Sequence, residues 1–120
     1  MDGPDVAALL AAERGRAEQS IADLERQLGW LAEQQALASH DDEHDPDGTT
    51  VSVQRAQLQG LLAGARRDLA ALDRAVERLA AGTYGRCTAC GADIAAARLE
   101  ALPAAGTCIA CAGTRRRTRH

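Results

Sequence analysis

Residues 87–111 have the sequence CTACGADIAAARLEALPAAGTCIAC, which begins and ends with a Cys-x2-Cys pair. Seventeen residues separate the two pairs. Pairs at this separation are typical of zinc sites, because a two-residue gap lets both thiolates turn toward one point and Zn²⁺ takes four soft ligands in a tetrahedron. The spacing predicts one Zn²⁺ per chain. The predicted ligands are Cys87, Cys90, Cys108 and Cys111.

Two disulfides are the competing interpretation of these cysteines, and they require an oxidising compartment. Residues 1–5, MDGPD, lack the basic start and the apolar core of an export signal. We therefore expect a cytoplasmic protein with a zinc site. A site of four thiolates leaves no open position for water, so we expect the metal to be structural rather than catalytic.

The composition indicates long helices rather than a thick globular core. The 120 residues include one Trp, one Tyr and no Phe, and Ala, Leu, Arg and Glu dominate, as they do in coiled coils. The net charge is −3. Residues 81–120 carry six Arg against two acidic residues, but four thiolates around Zn²⁺ contribute about −2. Charge alone therefore does not predict nucleic-acid binding.

Two helices are predicted before the cysteines, from about Asp5 to Ser39 and from about Thr50 to Ala81. Both repeat apolar residues at intervals of three and four, the spacing of a coiled-coil seam. The first seam consists of Leu10, Ala17, Ile21, Leu24, Leu28 and Leu31, with Arg14 and Gln35 as polar interruptions. The second consists of Val51, Arg55, Leu58, Leu62, Ala65, Leu69, Leu72, Val76 and Leu79.

A short acidic segment at residues 40–48 joins these helices and carries five carboxylates. Asp45-Pro46-Asp47-Gly48 has the residues of a type I turn, and Thr49 or Thr50 can cap the second helix. A short link makes the two helices antiparallel neighbours. The predicted fold is mainly α: an antiparallel coiled-coil hairpin followed by a small four-Cys zinc finger.

Three regions follow from these patterns. We predict a coiled-coil hairpin over residues 1–81 with its acidic tip at 40–48, a zinc finger over 82–113, and a frayed Arg-rich tail over 114–120. Gly82 suits the left-handed cap of the second helix. Inside the finger, Asp93–Glu100 is predicted to form a short helix that Pro103 ends.

The finger sequence resembles the zinc finger of the DksA/TraR family of bacterial transcription regulators. The residues that carry the resemblance are Gly82-Thr83-Tyr84-Gly85, the four cysteines, Ile94, Arg98-Leu99-Glu100-Ala101 and Pro103. A helical hairpin with an acidic tip ahead of a four-Cys finger is also the architecture of that family. The resemblance therefore extends, more loosely, over most of the chain.

The resemblance implies a regulator that docks on RNA polymerase and inserts its hairpin into the secondary channel, toward the catalytic Mg²⁺. Such proteins modulate transcription initiation without reading DNA sequence. The residues implied to face the polymerase active site are Asp42, Asp45 and Asp47. The family's tip pattern is Asp-x-x-Asp-x-Ala, so Asp47 stands where the family has Ala. In the alternative register, His44 replaces the first Asp and Thr49 takes the Ala position.

A site for the alarmone ppGpp is known in better-studied members of the family and uses basic residues. The aligned positions here are Gly64, Ala71, Leu102 and Ala112. None of these side chains is charged, so no cooperation with ppGpp is expected.

Other functions remain open from the residues themselves. A coiled-coil adaptor with a purely structural zinc finger is the main alternative, and a nucleic-acid-binding zinc ribbon is another. The sequence has no Gly-rich phosphate loop and no Ser/His/Asp set, so no enzyme is predicted. His40 and His44 have a spacing that could hold a second metal on a helix. Trp30 could contact a partner or cover the flank of the coil.

Overall fold

The computed structural model describes residues 3–41 and 48–118, with side chains over 3–37 and 50–114. It contains α1 (Gly3–Asp41), α2 (Gly48–Ala81), α3 (Ala96–Ala101) and α4 (Ile109–Thr118). Within these described ranges there is no β-strand, and one isolated antiparallel bridge joins Arg86 and Asp93. The predicted mainly α fold, a helical hairpin followed by a four-cysteine finger, is confirmed.

The chain divides into two compact units. The first, here called the finger unit, consists of Met1–Arg14 and Asp68–His120. The second, here called the hairpin unit, is Gly15–Arg67. Each unit contains a segment of α1 and a segment of α2.

In the hairpin unit, the two helical segments run antiparallel. Arg55 Nη1 donates to Gln35 Oε1 at 3.2 Å, and Arg66 Nη2 lies 3.4 Å from Glu25 Oε2. Residue numbers therefore rise along α1 as those of their partners fall along α2. Two leucines are buried, Leu31 at 6% exposure and Leu62 at 8%. The predicted seam residues Leu24, Leu28, Val51 and Leu58 are half-buried.

In the finger unit, the core of the helical part is formed by residues at the two ends of the hairpin sequence. The buried side chains there are Val6, Leu10, Leu72 and Ala75. Arg14 Nε forms an ion pair of 2.8 Å with Asp73 Oδ1. Two polar interruptions of the first seam, Arg14 and Gln35, thus have partners on α2.

The predicted seam of α2 is wrong in two places. Arg55 is exposed, and its guanidinium donates a hydrogen bond to Gln35 of α1. Val76 is 39% exposed, whereas its neighbour Ala75 is fully buried. Ala75 and Arg78 are three residues apart and share a helix face, and Arg78 contacts the finger at Ala104. We attribute the shifted face to this extra contact, which a two-helix pattern does not anticipate.

The element boundaries also differ from those predicted. Because α2 begins at Gly48, Thr49 and Thr50 lie inside its first turn and are not its cap. The short finger helix starts at Ala96 rather than Asp93, since the preceding residues bridge back to Arg86. The backbone after Cys111 continues as α4 to Thr118. The predicted tip residues Asp42, Asp45 and Asp47, together with His44 and the His40 side chain, lie outside the described residues.

Among the described helices, none is both long enough and apolar enough to cross a membrane.

Candidate metal centre

The four cysteine thiols converge on one point. Their Sγ atoms all lie within 4.8 Å of one another, and Cys90 Sγ is 3.9 Å from Cys108 Sγ. Tetrahedral zinc with Zn–S bonds of about 2.3 Å places its sulfur atoms roughly 3.8 Å apart. The thiols are therefore spaced to take one Zn²⁺ with little movement, and the predicted one-zinc site is confirmed as a closed four-thiolate centre.

The first cysteine pair lies in a tight turn whose geometry depends on glycine. Cys87 N donates to Ala92 O at 2.7 Å, and Gly91 N donates to Cys87 O at 2.9 Å. Gly91 has φ of +79°, a left-handed conformation that costs other residues free energy. The turn exposes Cys90 and buries Cys87 at 3% exposure.

The second pair is positioned by the start of α4. Cys108 immediately precedes the helix and Cys111 lies in its first turn. Ala112 N donates to Cys108 O at 2.9 Å. The two pairs are joined through the backbone, because Thr88 N donates to Gly106 O at 2.8 Å.

Cys87 and Cys111 have pKa shifts in opposite directions. Backbone N–H donation from Cys108, with smaller contributions from the Cys90 and Ala89 backbone, lowers the pKa of Cys87 to about 6 although burial opposes the shift. Interaction of the Cys111 thiol with the sulfur atoms of Cys108, Cys87 and Cys90 raises the pKa of Cys111 to about 12, and burial adds to the shift. Zinc takes cysteine as thiolate, so binding of the metal by these four residues would release their thiol protons.

A frame of side chains surrounds the centre. Tyr84 Oη donates to Pro103 O at 2.8 Å, and Arg98 Nε donates to Thr107 O at 2.9 Å. Burial raises the pKa of Tyr84, and the charge of Arg78 partly offsets this. Ile94 is buried at 5% exposure. These residues fix the loops between the cysteine pairs.

The end of α2 leads directly into this frame. Thr83 N donates to Arg78 O at 2.9 Å and Gly82 N to Leu79 O at 3.2 Å, and Gly82 has φ of +77°. This is a Schellman motif with glycine at the left-handed position, as predicted for Gly82. No sequence pattern predicts the role of Arg78, because its partners Ala104 and Gly106 are neutral residues of a distant loop.

Trp30 is mostly exposed. Its exposed fraction is 59%, and that of Leu61 is 61%. Both line an open groove of about 480 Å³ in the hairpin unit. The other lining residues are Arg26, Gln27, Leu31, Gln54, Gln57 and Leu58.

Comparisons with known proteins agree with this geometry. Residues 82–117 match the prokaryotic dksA/traR C4-type zinc finger. The solved structure of transcription factor DksA2 from Pseudomonas aeruginosa is similar at 28% sequence identity and a TM-score of 0.76. The alignment covers 98% of this chain and 86% of that chain. A search among curated protein sequences gave no significant match. The finger thus matches the DksA/TraR C4-type zinc-finger family, and the structural similarity to DksA2 extends over nearly the whole chain.

Proposed function

We propose that this protein binds bacterial RNA polymerase through the secondary channel and modulates transcription initiation without recognising a DNA sequence. The observation that carries the proposal is the similarity to a transcription factor over 98% of the chain. The match therefore includes the hairpin that the family inserts into the polymerase, and not the zinc finger alone.

The hairpin unit has features of a surface that contacts protein. Trp30, Leu37, Val53 and Leu61 are each more than half exposed, and Trp30 and Leu61 share one groove. Exposed apolar side chains in a group, rimmed by polar residues, mark protein interaction sites. Aromatic residues and Arg are enriched in such interfaces, and Arg26 lies beside Trp30 in this groove.

The acidic tip is proposed to be the regulatory element. Asp42 and Asp45 keep the separation of the family's pattern, and Asp47 departs from it. Carboxylates act strongly where a metal ion dominates the local field, as the catalytic Mg²⁺ of the polymerase does. We assign the tip an effect on initiation rather than a major share of binding.

The zinc is proposed to have a structural role, since four thiolates occupy every ligand position. We accordingly infer a cytoplasmic regulator rather than an enzyme. No cooperation with ppGpp is expected, because Gly64, Ala71, Leu102 and Ala112 offer no charge to phosphate. If this is correct, adding ppGpp to a transcription assay will leave the effect of the protein unchanged.

Binding is tested by retaining core RNA polymerase from a bacterial lysate on the tagged full chain, followed by competition with a known secondary-channel factor. The proposal expects retention, and displacement at saturating competitor. Retention that the competitor does not reduce would reject the channel. No retention at all would favour the coiled-coil adaptor with a structural finger.

The tip is tested by in vitro transcription with the Asp42→Asn/Asp45→Asn variant at matched polymerase occupancy. This variant removes two charges and keeps side-chain size, so initiation should respond much less to it than to wild type. Glu18→Gln/Glu33→Gln is the matched control, because both carboxylates are exposed on α1. If the tip variant and the control regulate equally, the tip is passive.

A further inference from the structure

A single side chain ties the last turn of α2 to the loop before the second cysteine pair. Arg78 Nη2 donates to Ala104 O at 3.3 Å. A Cβ at Gly106 would lie 3.4 Å from both Cζ and Nη2 of Arg78 and 3.5 Å from Nη1. Nearly equal distances to three guanidinium atoms mean that the flat face of the group covers Gly106. Little space remains there for a side chain.

The loop that Arg78 holds is connected to both cysteine pairs. Gly106 O accepts a hydrogen bond of 2.8 Å from Thr88 N, and Thr88 follows Cys87 in the chain. Thr107, which directly precedes Cys108, has its carbonyl held by Arg98 Nε at 2.9 Å. A shift of residues 104–107 would therefore move Cys108 relative to Cys87.

We propose that Arg78 is a positioning residue of the zinc centre and couples the end of α2 to the placement of the second cysteine pair. Arg78 acts through Ala104 and Gly106 without contacting a sulfur atom. Outer residues that orient metal ligands commonly change metal affinity by about 10–100-fold. Because coupling between two sites is reciprocal, zinc binding should in turn order the last turn of α2. This role is independent of any polymerase partner.

The first test is the zinc dissociation constant of the full chain, measured by competition with a chromophoric chelator. Arg78→Ala should bind zinc about tenfold more weakly than wild type. Arg78→Lys should recover part of the loss, because an ammonium group can donate to Ala104 O but cannot cover Gly106 with a flat face. Arg74→Ala, an exposed arginine one turn earlier on α2, is the control and should bind as wild type does. Equal affinities for Arg78→Ala and Arg74→Ala would overturn the proposal.

The second test approaches the contact from the loop. Gly106→Leu should displace the guanidinium of Arg78 and weaken zinc binding, although residue 78 is still arginine. In the Arg78→Ala background the same substitution should weaken binding less, because no guanidinium remains to be displaced. Fully additive effects would show that the two residues act separately and would reject the coupling. If Arg78→Ala impairs folding, the zinc dissociation constant of Gly106→Leu alone still tests the proposal.

The third test separates positioning from general stability. Amide hydrogen exchange is measured with and without saturating Co²⁺, whose tetrahedral thiolate absorption confirms that the site is filled. In wild type, the metal should slow exchange at Thr88 and Gly91 and also at Gly82 and Thr83. In Arg78→Ala, the metal should still slow exchange at Thr88 and Gly91. The slowing at Gly82 and Thr83 should be several-fold smaller than in wild type. An equal response at Gly82 and Thr83 in both proteins would contradict the coupling.

Discussion

The finger unit and the hairpin unit are stabilised in different ways. Six of the eight buried apolar residues described belong to the finger unit, and only Leu31 and Leu62 belong to the hairpin unit. The six are Val6, Leu10, Leu72, Ala75, Cys87 and Ile94. The finger unit also has a network of loop hydrogen bonds and a metal centre. The hairpin unit has a thin seam and several exposed apolar side chains.

This difference matches the roles proposed for the two units. A metal centre fixes loops that contain few apolar residues, because ligand binding contributes directly to folding free energy. A two-helix seam buries little surface, and it leaves groups such as Trp30 and Leu61 available to a partner. The finger unit is therefore expected to depend on zinc, and the hairpin unit on a few leucines.

The largest expected effect is the loss of zinc from the finger. Cys90→Ala removes one of four ligands and should reduce bound zinc from one per chain to nearly none, since structural zinc sites contribute on the order of 10 kcal/mol. Amide exchange should accelerate over residues 82–113 and change little in the hairpin unit. Metal analysis after anaerobic purification measures the first effect. Thr88→Ala, which keeps all four ligands, is the control, and equal zinc contents in the two variants would contradict the prediction.

The next effect concerns the thin seam of the hairpin unit. Leu62 is 8% exposed and its neighbour Leu61 is 61% exposed. Leu62→Ala should lower the free energy of unfolding by about 2–4 kcal/mol, through lost burial and the cavity left behind. Leu61→Ala should change it by less than about 0.5 kcal/mol. Urea unfolding of the zinc-loaded chain measures both. Similar losses for the two leucines would mean that the seam does not decide the stability of this unit.

A smaller effect on stability is expected from the Tyr84 hydroxyl, which donates a hydrogen bond inside the finger. Tyr84→Phe removes the hydrogen bond to Pro103 O and should cost about 1 kcal/mol. Burial raises the pKa of Tyr84, so the folded protein holds the phenolic proton more tightly than the unfolded chain does. The stabilisation from the protonated Tyr84 hydroxyl is fully present below about pH 10, and it is lost as the pH rises through the pKa of Tyr84 in the folded protein.

Urea unfolding of wild type and Tyr84→Phe on both sides of pH 10 tests this. Wild type should lose its advantage at the higher pH, whereas Thr83→Ser, which retains the hydroxyl beside Arg78 O, should follow wild type. A difference between wild type and Tyr84→Phe that stays constant with pH would show that the phenolic proton contributes nothing.

The smallest effect is expected from the ion pair between Arg14 and Asp73. Both side chains are more than 40% exposed, so solvent screens their attraction. A double-mutant cycle with Arg14→Ala and Asp73→Ala should give a coupling of about 0.2–1 kcal/mol that decreases with added salt. A coupling above about 2 kcal/mol would instead place this pair among the main supports of the finger unit.

The sequence alone determined the features that depend on local periodicity and ligand chemistry. The spacing of the cysteines predicted the zinc centre, the apolar repeats predicted α1 and α2, and Gly82 predicted the cap of α2. Each signal comes from residues close in sequence or from a residue type with few alternative uses. Four cysteines that are the only ones in the chain can be assigned without knowing the path of the backbone between them.

Within the finger unit, the way in which the end of α2 meets the loops of the finger is visible only in the folded chain. The burial of Ala75 in place of Val76 and the contact of Arg78 with Ala104 and Gly106 join segments distant in sequence. Small neutral residues such as Ala104 and Gly106 have no sequence pattern from which their contact with Arg78 could be predicted. Their role arises from shape, because a flat guanidinium lies against a residue without a side chain, and such a fit exists only after the chain has folded.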